Sequence, residues 1–235
     1  KKNFFAEYKW SDLKVKKDKL IPLVKIGLPS SVQSLVVSLS FLTLTALVNS
    51  LPNAEIASAG QGIGGKINSF AILPGLAISS AISSMAGQSR GAGEFKRAKK
   101  TMYVGMVMAF SISVIVFAFV NLFPGFFISL FDKNPEVIET GTRYIRLISF
   151  DYLFATVMFC MNGLAIAAGS TYIALINAFC NGILIRVPLA YFLTNIMNMG
   201  FDGIALSMGF ASLGGIIIGL IYIKSGKWKK SITQS

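Results

Sequence analysis

Six apolar runs, each long enough to cross a lipid bilayer, constrain this chain more than any other feature. They cover residues 26–50, 57–86, 101–123, 144–168, 172–196 and 203–223. A helix rises 1.5 Å per residue, so about 20 residues span the hydrocarbon core. No run alternates apolar and polar residues with period two over ten positions, as a membrane β-strand does. In lipid every backbone N–H and C=O must find an internal partner, and that leaves helices. The expected fold is all-α, a polytopic bundle of six transmembrane helices over residues 20–228. A basic segment at 1–19 precedes it and a short tail at 229–235 follows.

Charge fits this reading. Charged residues make up 14% of the chain, well under the roughly 25% of soluble domains. The net charge of +12 does not point to nucleic acid, because the basic residues form clusters between apolar runs rather than a face interleaved with aromatics. Seventeen of the 22 Lys and Arg fall in three clusters: residues 1–25, 90–100 and 224–230. Threading six helices puts all three on one side, with Lys133, Arg143 and Arg146 on the other. Basic residues mark the cytoplasmic side, so both termini are expected there. An odd number of helices would break the pattern. Residues 1–25 lack the short apolar core and small-residue cleavage site of a signal peptide.

The chain has no His, which removes the commonest general base and metal ligand. Cys160 and Cys180 lie in apolar runs without CxxC spacing and read as small buried hydrophobes. Enzyme chemistry, a bound metal and a cofactor are therefore not expected. Two connections are long. Residues 87–100 are polar and glycine-rich, and 124–143 open on an aromatic stretch from Phe126 to Phe131. That stretch reads as a short helix at headgroup level. Pro135 then suits the first turn of the next helix.

Ionisable residues inside a bilayer are costly and mark function by default. Asp151 is the one carboxylate well inside an apolar run. On a helix Asp151, Ala155, Met158 and Asn162 fall in one stripe, a candidate wall of an aqueous cavity. The alternative is a structural carboxylate paired at the rim, yet Arg146 lies about 140° round the helix and is no easy partner. Lys66 and Asn68 are cavity candidates on the second run, ahead of Pro74-Gly75, which can bend that helix. The alternative for Lys66 is a side chain that snorkels or pairs with a carbonyl. Gln33 on the first run carries an amide that must find a partner. Arg186, two residues before Pro188, reads as structural, and Asn177 and Asn181 read as helix-to-helix hydrogen bonders. Gly60 to Gly65 and the Gly215/Gly219 pair imply close helix contacts.

The order of motifs resembles the multidrug and toxic compound extrusion (MATE) family, specifically its second six-helix half. Lys25-Ile26-Gly27-Leu28-Pro29 with Gln33 looks like the start of that family's seventh helix. Gly87-Gln88-Ser89-Arg90-Gly91-Ala92-Gly93, then Arg97-Ala98, looks like its "GQxxGA…RA" loop and is the most specific element. Leu130-Phe131-Asp132 with Tyr144-Ile145-Arg146, Arg186-Val187-Pro188-Leu189, and Gly200-Phe201-Asp202-Gly203-Ile204-Ala205 follow in the family's order. The resemblance implies two six-helix lobes rocking around a central cavity, exchanging sodium ions or protons for organic cations and other amphipathic compounds. It implies a first lobe, preceding this one or supplied separately, and residence in an inner or plasma membrane of a bacterium. Some branches hold a cation between a glutamate in the seventh helix and an aspartate in the tenth. Here the run at 26–50 has no carboxylate. Coupling would then lie mainly in the other lobe, or Asp151 would act alone as a proton site. Gln33, Lys66, Asn68 and Asn162 would form the polar wall, with Met158 and Phe154 as adaptable apolar contact. The rival readings are a flippase of lipid-linked sugars, which would need several cations in its cavity, and a scaffold half that transports nothing.

Overall fold

The structure, a computed structural model, describes residues 17–229. The rest of the expected basic segment and of the tail lies outside the described residues. Nine α-helices are found among these: α1 (Lys17–Asn49), α2 (Ala54–Gly91), α3 (Phe95–Leu122), α4 (Pro124–Ser129), α5 (Pro135–Ile148), α6 (Phe150–Ala167), α7 (Thr171–Phe179), α8 (Val187–Tyr191) and α9 (Phe201–Lys224). No strand occurs among the described residues. α5 and α6 run on as one span, Pro135–Ala167, and α7 and α8 with their π-helical turns make another, Thr171–Ile196. With α1, α2, α3 and α9, that gives six spans long and apolar enough to cross a membrane among the described residues.

The helices reach further than their apolar runs. The polar stretch at 87–100 is mostly helix rather than loop: α2 continues to Gly91 and α3 begins at Phe95. Polar residues form helix readily once outside the hydrocarbon, so hydropathy marks the bilayer and not the helix end. The turn needs only Ala92, Gly93 and Glu94, with Gly93 at φ +78°, a left-handed conformation that glycine adopts without a Cβ clash. The fourth span likewise starts at Pro135 rather than Tyr144. Asn134 caps it by accepting from the Glu136 N–H at 3.0 Å. A short helix does form over the aromatic stretch, as α4, and Pro135 occupies the first turn of α5 as anticipated.

The span α5–α6 is the most buried of the six and packs against α2, α3 and α9. Small residues permit this. A Cβ on Gly163 would lie 2.7 Å from the Ser79 carbonyl oxygen, and one on Gly219 would lie 2.7 Å from the Met161 sulfur. Large apolar side chains such as Leu35, Leu42, Val107 and Ile115 point outward on α1 and α3 and stand exposed, the surface a bilayer would cover.

The ends of the bundle differ. The α2–α3 turn and the end of α9 meet, because Arg90 donates from Nε to the Trp228 carbonyl at 3.0 Å. Trp228 is buried there, edge-to-face with Phe95 at 6.2 Å. Two of the three basic clusters thus share one end, as an even number of crossings requires. The Arg143–Asp202 ion pair joins α5 to α9 elsewhere.

Candidate functional site

Asp151 begins the construction of the site. It is 7% exposed and lies in the first turn of α6. Ala155, Met158 and Asn162 repeat along the same face, and all four line one cavity of about 140 Å³. The helical period predicted this stripe, and the structure turns it inward. Gln33 and Phe41 come from α1, Asn68 from α2, Asn181 and Arg186 from the π-helical turn after α7, and Ser212 from α9. The cavity therefore sits where four spans converge on α6.

Its polar contacts are partly complete. The Ser212 hydroxyl donates to the Asp151 carboxylate. Asn177 donates from Nδ2 to Asn162 Oδ1 at 2.9 Å, and Asn181 donates from Nδ2 to the Met158 sulfur at 3.3 Å. Both asparagines bond across helices as their spacing suggested. Yet Asn68 Oδ1 and Asn181 Oδ1 are buried without a partner, and so is Arg186 Nε. An unmade bond at a buried polar atom costs about 1–3 kcal/mol, so such atoms cluster where water or a ligand completes them.

Arg186 was read from sequence as structural, but it lines the cavity at 8% exposure. Its guanidinium rests over the Phe41 ring, 5.3 Å from the centroid. Among the described residues the ion pairs are Arg97–Glu94 and Arg143–Asp202, so Arg186 and Asp151 share the cavity without closing on each other. The sequence signal was present but distorted. In an α-helix Asn181 and Arg186 stand about 140° apart. Residues Cys180–Arg186 are π-helical, and i→i+5 bonding brings residues five apart nearly over one another. Pro188 gives a cause, since it has no N–H to offer the Leu184 carbonyl.

Lys66 is not part of the site. It is exposed, with its ammonium 5.5 Å from the Phe131 ring centroid, outside the cavity. Lys66 and Asn68 are two residues apart and so point to different sides of α2; Asn68 takes the inward one. Phe154 does not line the cavity either, and Phe159 does. A larger hollow of about 550 Å³ lies between the α1–α2 turn, α5 and the start of α9. Of its carboxylates, Glu136 and Glu139 are exposed and Asp202 is half-buried and paired with Arg143, so it lacks the unpaired buried acid of the smaller cavity.

Six apolar spans around a partly open cavity that holds one acid and one base define a polytopic membrane protein with an internal polar site. The chain belongs to the MatE family, whose sequence profile matches residues 29–192. It is 28% identical over 207 residues to the probable multidrug resistance protein YpnP of Bacillus subtilis, covering 88% of this chain and 46% of that one. It is 26% identical over 222 residues to the probable multidrug resistance protein NorM of Thermotoga maritima, covering 94% and 46%. The fold matches a multidrug resistance MATE family transporter of the MOP superfamily in its outward-facing conformation, with TM-score 0.87 at 18% identity over 97% of this chain and 51% of that one. The chain spans about half the length of the curated relatives it matches.

Proposed function

We propose that this chain is one lobe of a secondary active transporter that exports amphipathic or cationic compounds in exchange for a coupling cation, Na⁺ or H⁺. The observation that carries this reading is Asp151, buried in the wall of a cavity beside unpaired amide oxygens. Little water screens a carboxylate there, so it interacts strongly with a proton or cation, and the Arg186 guanidinium in the same wall limits how much further positive charge the site accepts. When the coupling cation or a cationic substrate holds the site, the other is disfavoured, and this exclusion is what links the two in antiport. Gln33, Asn68 and Asn162 supply hydrogen-bonding wall, and Met158 with Phe159 supplies adaptable apolar surface. A complementary six-helix lobe, covalent or separate, completes the path, and rocking of the two lobes gives alternating access. Both termini face the cytoplasm of an inner or plasma membrane. The flippase reading is weaker, because with Lys66 outside the cavity Arg186 is the one basic residue in its wall.

The test is dye efflux from cells that express the chain alone and together with a candidate first lobe. Efflux with the partner supports the half-transporter. Efflux from the chain alone would mean that two copies assemble. No efflux under either a sodium or a proton gradient would contradict the proposal.

A further inference from the structure

We infer that Arg186 determines ion specificity at the Asp151 site: its guanidinium is a tethered cation that keeps sodium out of the cavity. This rests on the proposed reading of Asp151 as the coupling site. Asp151 and Arg186 line the same cavity of about 140 Å³ and are the charged residues in its wall. α1 presents Gln33 there, α2 presents Asn68 and α9 presents Ser212, all uncharged. The phenols of Tyr144 and Tyr152 are the further titratable groups close enough to interact with Asp151.

Two physical arguments bear on exclusion, and the second one selects between the ions. The first is charge. The acid and the base together are neutral, and a guanidinium does not deprotonate in proteins. A sodium ion entering would add uncompensated positive charge in a poorly screened space, a penalty that a proton shares, so charge weakens binding of any cation and the choice between the two ions falls to ligation. The second is ligation. A hard metal ion needs several oxygen ligands at once. Those on offer include the Asp151 carboxylate, already accepting from Ser212, the unpaired Oδ1 atoms of Asn68 and Asn181, and the Gln33 amide oxygen. Arg186 lines the same cavity with its buried Nε–H unpaired, so its guanidinium competes with a metal ion for those oxygens, while the Phe41 face and the π-helical turn hold it at the wall. A proton needs a single oxygen and displaces none of this.

The experiment is equilibrium binding of radiolabelled sodium to the purified chain in nanodiscs at neutral pH. Wild type and Arg186→Lys, which keeps the charge, are expected to show no saturable binding. Arg186→Met, which keeps the length and removes the charge, should create a saturable site at least ~10-fold tighter than any in wild type. Asp151→Asn on that background should abolish it. Arg186→Gln serves in its place if the Met variant is not monodisperse. The inference is overturned if wild type binds sodium saturably and Asp151→Asn removes that binding. It is equally overturned if a well-folded charge-free variant gains no site. Failure of the parent reading looks different: Asp151→Asn would leave efflux unchanged whatever the sodium data show.

Discussion

Gly163→Ala should destabilise this bundle more than a single added methyl suggests. Gly163 lies where α6 crosses α2, and a Cβ there would sit 2.7 Å from the Ser79 carbonyl oxygen and 3.0 Å from Ser79 Oγ. The hydroxyl cannot simply swing away, because it donates to the Phe159 carbonyl at 2.6 Å, one turn back on α6. The carbonyl belongs to the backbone of α2, so relief requires the two helices to part by several tenths of an ångström. Overpacking costs about 1–3 kcal/mol, and a backbone obstruction puts this site at the upper end. Replacing a helical glycine returns up to about 1 kcal/mol. The net loss is about 2 kcal/mol, which lowers the melting temperature by roughly 4–8 °C for a chain of this size. Gly62→Ala is the control, since nothing lies within 4 Å of its added Cβ. It should melt at or slightly above wild type. Both are read by thermal unfolding of the detergent-purified chain, followed by size-exclusion fluorescence. If Gly163→Ala melts at or above wild type, the packing argument is refuted.

Two further substitutions separate the cavity from its surroundings. Lys66→Gln should keep dye efflux within about twofold of wild type, as expected of an exposed position outside the site; a tenfold loss would restore Lys66 to the mechanism. Trp228→Ala removes a side chain that is 1% exposed and donates from Nε1 to the Ile223 carbonyl at 3.2 Å, and should cost about 3–5 kcal/mol. Trp228→Phe keeps most of the packing and should lose about 1 kcal/mol with the hydrogen bond. Thermal unfolding distinguishes the two.

Much of this architecture was legible in the residues because two periodicities are strong. Apolar length gave six spans, and the α-helical period placed Asp151, Ala155, Met158 and Asn162 on one face. Three things were not legible. Hydropathy ends with the bilayer, so the extension of α2 to Gly91 was read as loop. Lys66 was grouped with Asn68 by proximity along the chain, although two residues of helix separate them in direction. Arg186 reads as structural on an α-helical count, and its place in the cavity wall comes from the π-helical turn before Pro188, which rotates it. Polar residues near a proline call for both periods to be tried. The resemblance to the MATE family rested on collinear motifs, and the match over residues 29–192 covers most of them. The absence of a carboxylate from the run at 26–50 points to a proton at Asp151, but the part of Arg186 depends on which charges share one cavity and is not readable from composition.

The central claim is that Asp151 couples transport to an ion gradient. The direct measurement is gradient-driven dye transport in proteoliposomes that hold the chain with a complementary six-helix lobe, comparing wild type with Asp151→Asn. The account predicts that wild type responds to an imposed proton gradient and that the variant, folded and with matched incorporation, does not. A variant that keeps the full gradient response would contradict it and return Asp151 to a structural role.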